Sequence, residues 1–115
     1  MKMILAIVSK SDEDTAVSAL NEKGFYVTRL ATTGGFLKKA NVTLLIGTDE
    51  EKVDSAIEII KKTCAKRVEM VPYMSPSMNG GAGVQSTAFV PVPQETGGAV
   101  VFVLDVAEFA KFNTI

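Results

Sequence analysis

An α+β fold built from two β-α-β halves is predicted by three features of the sequence. Two apolar runs, Met3–Val8 and Val42–Ile46, are each followed by an acid-rich helix start and then by apolar residues at helical spacing. Ser11-Asp12-Glu13-Asp14 and Thr48-Asp49-Glu50-Glu51 take the same place in the two halves, as do Leu20 and Ile57. The most apolar run of all, Ala99-Val100-Val101-Phe102-Val103-Leu104, lies near the end of the chain. Two such halves in series give a ferredoxin-like βαββαβ sandwich, with helices on one face of the sheet.

Each element has its own signal. Met3–Val8 is apolar at both alternating parities, as a strand covered on both sides should be. Ser11–Asp14 supplies capping oxygens and first-turn acids for a helix whose stripe is Ala16, Val17, Ala19 and Leu20. Gly24 ends that helix, where a left-handed residue costs little. Phe25–Ala31 reads as a second strand and Val42–Ile46 as a third. The second helix starts at Thr48–Glu51 and buries Val53, Ala56, Ile57 and Ile60. Arg67–Val71 is strand-like again, Ala99–Leu104 is the last strand, and Val106–Phe112 is a short helical tail.

The 115 residues suit a single domain, with a formal net charge of -1 and 47% hydrophobic residues. Nearly balanced charge leaves no field to gather nucleic acid or an anionic membrane. Histidine is absent and Cys64 is the only cysteine, which excludes histidine bases, metal-ligating histidines, internal disulfides and thiolate zinc sites. The acids read as helix-start residues, and Cys64 as a small buried apolar side chain. No catalytic set emerges, and the reading is of a protein that is not an enzyme and holds no metal or cofactor. Met1–Val8 is too short for a signal peptide core, and no run approaches a spanning helix, so the expected setting is the cytoplasm without membrane insertion. An RNA-recognition sheet would need aromatic residues on its central strands, and Met3–Val8 and Val42–Ile46 have none.

Helices cover one face of such a sheet, yet Met3–Val8 and Ala99–Leu104 are apolar on both. A face of that size left to water points to a homo-oligomer. The other available cover is the chain's own long loop.

Two connections exceed structural need. The first, Ala31–Asn41, places Gly34 and Gly35 beside Thr32, Thr33 and Phe36, with Arg29, Lys38 and Lys39 nearby. Converging N–H groups and a ring suit a nucleotide, although a Gly-Gly pair is more often a plain turn. The second runs from Pro72 to Pro93. Its Gly, Pro and Met content suits either a mobile arm that orders on binding or an uneventful insertion.

The stretch Tyr26–Leu37, with Asn41, Ile46-Gly47 and Gly97–Leu104, resembles the PII-like cyclic di-AMP receptors of Firmicutes, and the similarity runs over almost the whole chain. That resemblance implies a cytosolic, non-enzymatic homotrimer of ferredoxin-like subunits, trimerising through the face opposite the helices. It implies signal transduction by binding cyclic di-AMP in clefts between subunits, followed by a changed contact with an unidentified downstream protein. It places ligand contacts at Thr28, Gly35, Phe36, Leu37, Asn41, Gly47 and Phe102, with Tyr26, Arg29, Thr32 and Lys111 as auxiliary contacts. Phe36 and Phe102 would flank an adenine, while Thr28 and Asn41 would hydrogen-bond base or phosphate. Residues 32–41 would be the short T-loop equivalent and 72–93 the long B-loop equivalent. Tyr26, Gly24 and Lys111 stand where the family usually has arginine, asparagine and glutamine. A PII-like trimer that binds ATP, ADP or no nucleotide is the alternative.

Overall fold

In a computed structural model, which describes residues 1–30, 40–73 and 90–112, the chain forms two compact units. One is Met1–Lys66 with Gly97–Ile115; the other is Arg67–Thr96.

In the larger unit, β1 (Lys2–Ser9), β2 (Val27–Leu30), β3 (Asn41–Thr48) and β6 (Ala99–Asp105) form an antiparallel sheet in the order β2-β3-β1-β6. Two helices, α1 (Glu13–Glu22) and α2 (Val53–Thr63), pack on one face of it. The core follows from alternation. Ile4, Ala6 and Val8 of β1 lie beside Ile46, Leu44 and Val42 of β3, and all six are buried. Ala16, Val17 and Leu20 of α1 and Val53, Ala56 and Ile60 of α2 complete it, with Cys64 just beyond α2.

The ferredoxin-like expectation holds. The chain enters both helices through a single 3-10 turn, Lys10–Asp12 and Glu50–Lys52. This corrects two details. The equivalent positions are Leu20 and Ile60, since Ala16, Val17 and Leu20 match Ala56, Ile57 and Ile60. No side chain caps either helix or either turn, so the acids Glu13, Asp14 and Asp54 act through their charge near the helix N-termini. The left-handed end of α1 is as expected. Gly24 has φ +88°, and the Phe25 N–H donates to the Leu20 carbonyl at 3.0 Å.

Three further expectations change. Arg67–Val71 does not close the sheet. It belongs to β4 (Arg67–Tyr73), which pairs with β5 (Val90–Thr96) in the smaller unit, while β6 lies beside β1. In the place beside β1, Val101 of β6 packs against the core, and Ala99–Leu104 is apolar on both faces, whereas Arg67 and Glu69 make one face of β4 charged. The Pro72–Pro93 segment is not loop throughout: β4 extends to Tyr73 and β5 starts at Val90, while residues 74–89 lie outside the described residues. Val106–Phe112 is not helical. Phe109 and Phe112 are 62% and 77% exposed, and a segment this short gains no helix without a surface to pack on.

The end of α2 is tied to the start of β6, where the Gly98 N–H donates to the Cys64 carbonyl at 2.6 Å. Leu20 is fully buried in the core between the helices and the sheet, and nothing polar replaces it. Leu20→Ala should therefore lower unfolding free energy by about 2–5 kcal/mol in a denaturant titration, through lost burial plus the cavity left behind.

Candidate functional site

Among the described residues of the larger unit, the face of the sheet opposite the helices is partly exposed, and the pairing register maps it. Antiparallel partners share a face. One row runs Phe102, Leu5, Leu45, Thr28 across β6, β1, β3 and β2. A second runs Val100, Ile7, Thr43, Leu30, and a third runs Leu104, Met3, Gly47. Val100, Phe102, Leu104 and Leu30, all on the two edge strands, are the exposed apolar members.

Four of the expected contact residues belong to this face. Thr28 and Phe102 end the same row on opposite edges. Gly47 is beside Met3, and Asn41 is beside Ser9 at the end of β3. An N–H of Lys10 donates to the Ala40 carbonyl at 3.0 Å and holds the start of β3 near the end of β1. A Cβ built on Gly47 meets nothing within 4 Å, so the packing of its own subunit does not require a glycine there. Phe102 is 51% exposed, and its ring offers an uncovered apolar surface.

The auxiliary candidates divide. Arg29 lies on the helix side of β2, where its Nη1 is 3.1 Å from Glu13 Oε2 and 3.2 Å from Asp14 Oδ1. Its guanidinium thus serves the start of α1. Tyr26 is 89% exposed just before β2, and Lys111 is exposed beyond β6. Thr32, Gly35, Phe36 and Leu37 lie outside the described residues.

Sequence reasoning did not single out Leu5 and Leu45, the floor between Thr28 and Phe102. The signal was their parity, shared with Met3 and Ile7 on β1 and with Gly47 on β3. It also missed an ion cluster at one end of the sheet. Lys2 Nζ hydrogen-bonds the Asp105 carboxylate across the β1–β6 pair and lies 3.7 Å from Glu50 Oε1. The bond from Lys2, with the ammonium charge behind it, holds the Asp105 carboxyl below its ordinary value. The Asp105 bond, opposed by partial desolvation and aided by the charges of Asp105 and Glu50, raises Lys2.

Residues 1–112 match the family described as "Cyclic-di-AMP receptor". The chain is also similar to a solved structure of a functionally unknown protein from Pediococcus pentosaceus ATCC 25745. The two share 35% identity over 96% of each chain, with a TM-score of 0.73. This chain belongs to the cyclic-di-AMP receptors.

Because the Asp105 pKa is lowered on folding, its pairing stabilises the protein above the ordinary carboxylate range and is lost as pH falls through the folded value. For Lys2 the sign reverses, and the contribution is lost as pH rises through its raised value. In an NMR pH titration, Asp105 should titrate below 3.8, and Lys2→Met should move it up towards that value.

Proposed function

We propose that this chain is a non-enzymatic, cytoplasmic signalling receptor that holds cyclic di-AMP in clefts between subunits of a homotrimer. Binding rearranges its loops and so changes its contact with a downstream protein. One observation carries this reading: Thr28 and Phe102 share a face but sit on opposite edges of the sheet. Three interstrand spacings separate them, about 14 Å. A single adenine is too short to touch both within one subunit. Taken from two copies, the Thr28 edge and the Phe102 edge converge on one ligand.

The chemistry suits a dinucleotide. The Phe102 ring stacks a base, the Thr28 hydroxyl and Asn41 amide hydrogen-bond its edge or a phosphate, and the bare backbone at Gly47 lets the ligand approach closely. Gly35, Phe36 and Leu37, with Thr32, would complete the cleft from the neighbouring loop. The apolar rows around Leu5 and Leu104 support burial of this face between copies. Cys64, the single cysteine, suits a reducing compartment.

A second reading rests on Tyr26. Its exposed ring stands where the resembling family usually offers a phosphate-binding arginine, which favours a PII-like trimer for ATP, ADP or no nucleotide. Under that reading, Tyr26→Arg should create or strongly raise affinity for cyclic di-AMP. Under the first, it should change affinity little.

Titration calorimetry with cyclic di-AMP, and with ATP and cyclic di-GMP as controls, separates the two. The receptor reading expects heat from cyclic di-AMP alone, and no heat at high micromolar ligand overturns it. Phe102→Ala should weaken binding about 5- to 150-fold, the loss of about 1–3 kcal/mol of base stacking. Gly47→Val should abolish binding while leaving the melting temperature unchanged or raised, because its side chain enters open space in the free subunit.

A further inference from the structure

Among the described residues, the smaller unit is a two-stranded sheet with an unpaired strand edge, and the prolines of β5 identify which edge can accept a further strand. β5 reads Val90-Pro91-Val92-Pro93-Gln94-Glu95-Thr96, with Pro91 opposite Pro72 and Pro93 opposite Met70. A proline has no N–H to give a ladder, so a strand places it where that group would point away from its partner. Bonded and non-bonded pairs alternate along an antiparallel ladder. The bonded pairs are therefore Arg67–Thr96, Glu69–Gln94, Val71–Val92 and Tyr73–Val90. Val68 and Met70 then direct their N–H and C=O groups out from β4. The outer edge of β5 differs, because of Pro91, Pro93 and Glu95 only Glu95 has an N–H to offer. Prolines of this kind block strand addition; on the β4 edge Pro72 does so at the far end, while Val68 and Met70 present no such block.

We infer that the β4 edge pairs antiparallel with the β4 edge of a second copy, about a twofold axis at Val68. In this register Val68 meets the partner's Val68 in a bonded pair. Arg67 lies opposite the partner's Glu69, and Glu69 lies opposite the partner's Arg67. Opposite charges thus face each other twice. Arg67 and Glu69 already share one face of β4, with Arg67 Nε 2.9 Å from Glu69 Oε1, so the pairing makes an alternating group of four charges.

Neighbouring registers are worse. A twofold at Arg67 sets two guanidinium groups opposite each other, and one at Glu69 does the same to two carboxylates. A twofold at Met70 brings Pro72, without an N–H, into a bonded pair. The self-complementary charge order selects a second copy over a foreign strand. Two strands are marginal as a sheet, and the pairing, over Arg67–Glu69 of each copy, joins two hairpins in the order β5-β4-β4-β5. Both outer edges of that sheet are the proline-bearing ones, so it ends there. On the other side, Val68, 63% exposed, comes beside its counterpart.

The contact goes beyond the receptor reading and is independent of the ring that the larger unit forms. Sedimentation velocity of the full chain across low to high micromolar concentration reads it. The expected result is a shift from the basal assembly to twice its mass. Val68→Pro keeps the hairpin's own ladder, since the lost N–H points outward, and should hold the protein at basal mass throughout. Arg67→Glu alone or Glu69→Arg alone sets like charges across the twofold and should do the same. The double variant, Arg67→Glu with Glu69→Arg, should restore doubling. A wild-type mass that never changes, doubling that survives Val68→Pro, or a double variant that stays at basal mass overturns the inference. A basal mass other than that of a trimer speaks against the proposed ring and leaves this test intact.

Discussion

The antiparallel register between β1 and β3 is the constraint on which the larger unit depends. It places Ile4 opposite Ile46, Ala6 opposite Leu44 and Val8 opposite Val42, which gives the helices an apolar floor. A slip of one residue would turn that floor to the other side and leave Met3, Leu5 and Ile7 under the helices instead. Helix packing against Ala6, Leu44 and Leu20 resists such a slip, because interiors are close-packed and shape-specific. The same register commits Thr43, Leu45 and Gly47 to the face opposite the helices. The candidate site is thus fixed by the core without contributing to it. Residues there are free to change with ligand chemistry while the fold is held from behind.

Most of the fold was legible because period and punctuation agreed. The two-sided apolar runs marked the strands next to the core, the stripes Ala16-Val17-Leu20 and Ala56-Ile57-Ile60 marked the helices, and Gly24 marked an end. What was not legible lay in competition between similar signals. Arg67–Val71 and Ala99–Leu104 both read as strands, and only packing beside β1 decides which of them joins the sheet. The acidic runs suggested caps, yet both helices are entered through 3-10 turns that take the acids past the cap position. The tail carried apolar residues at helical spacing, but periodicity stabilises a helix only where a surface receives it.

The site was legible to a smaller degree. Alternation alone puts Asn41 and Gly47 on one face of β3 and Thr28 on the matching face of β2, while Phe102 joins them only through the β1–β6 register. Arg29 looked available for an anion because it is cationic and near the glycine loop. Its partners are Glu13 and Asp14, brought to it by the packing of α1, and no local pattern around Arg29 announces them. The Lys2–Asp105 bond has the same origin, since its partners are distant in sequence and meet through strand pairing.

The edges of the two sheets carry the remaining logic. β5 is closed to further pairing by Pro91 and Pro93, whereas the edge strands of the larger sheet, β2 and β6, contain no proline. On the proposed reading those two edges supply the two halves of one ligand cleft from different copies. Binding and assembly are then linked. A ligand held by both copies stabilises their association, and association raises affinity for the ligand by the same factor. Such a site needs no catalytic group and no buried charge. It needs a face that a lone subunit leaves unsatisfied, and the β1–β3 register creates that face whenever the core forms.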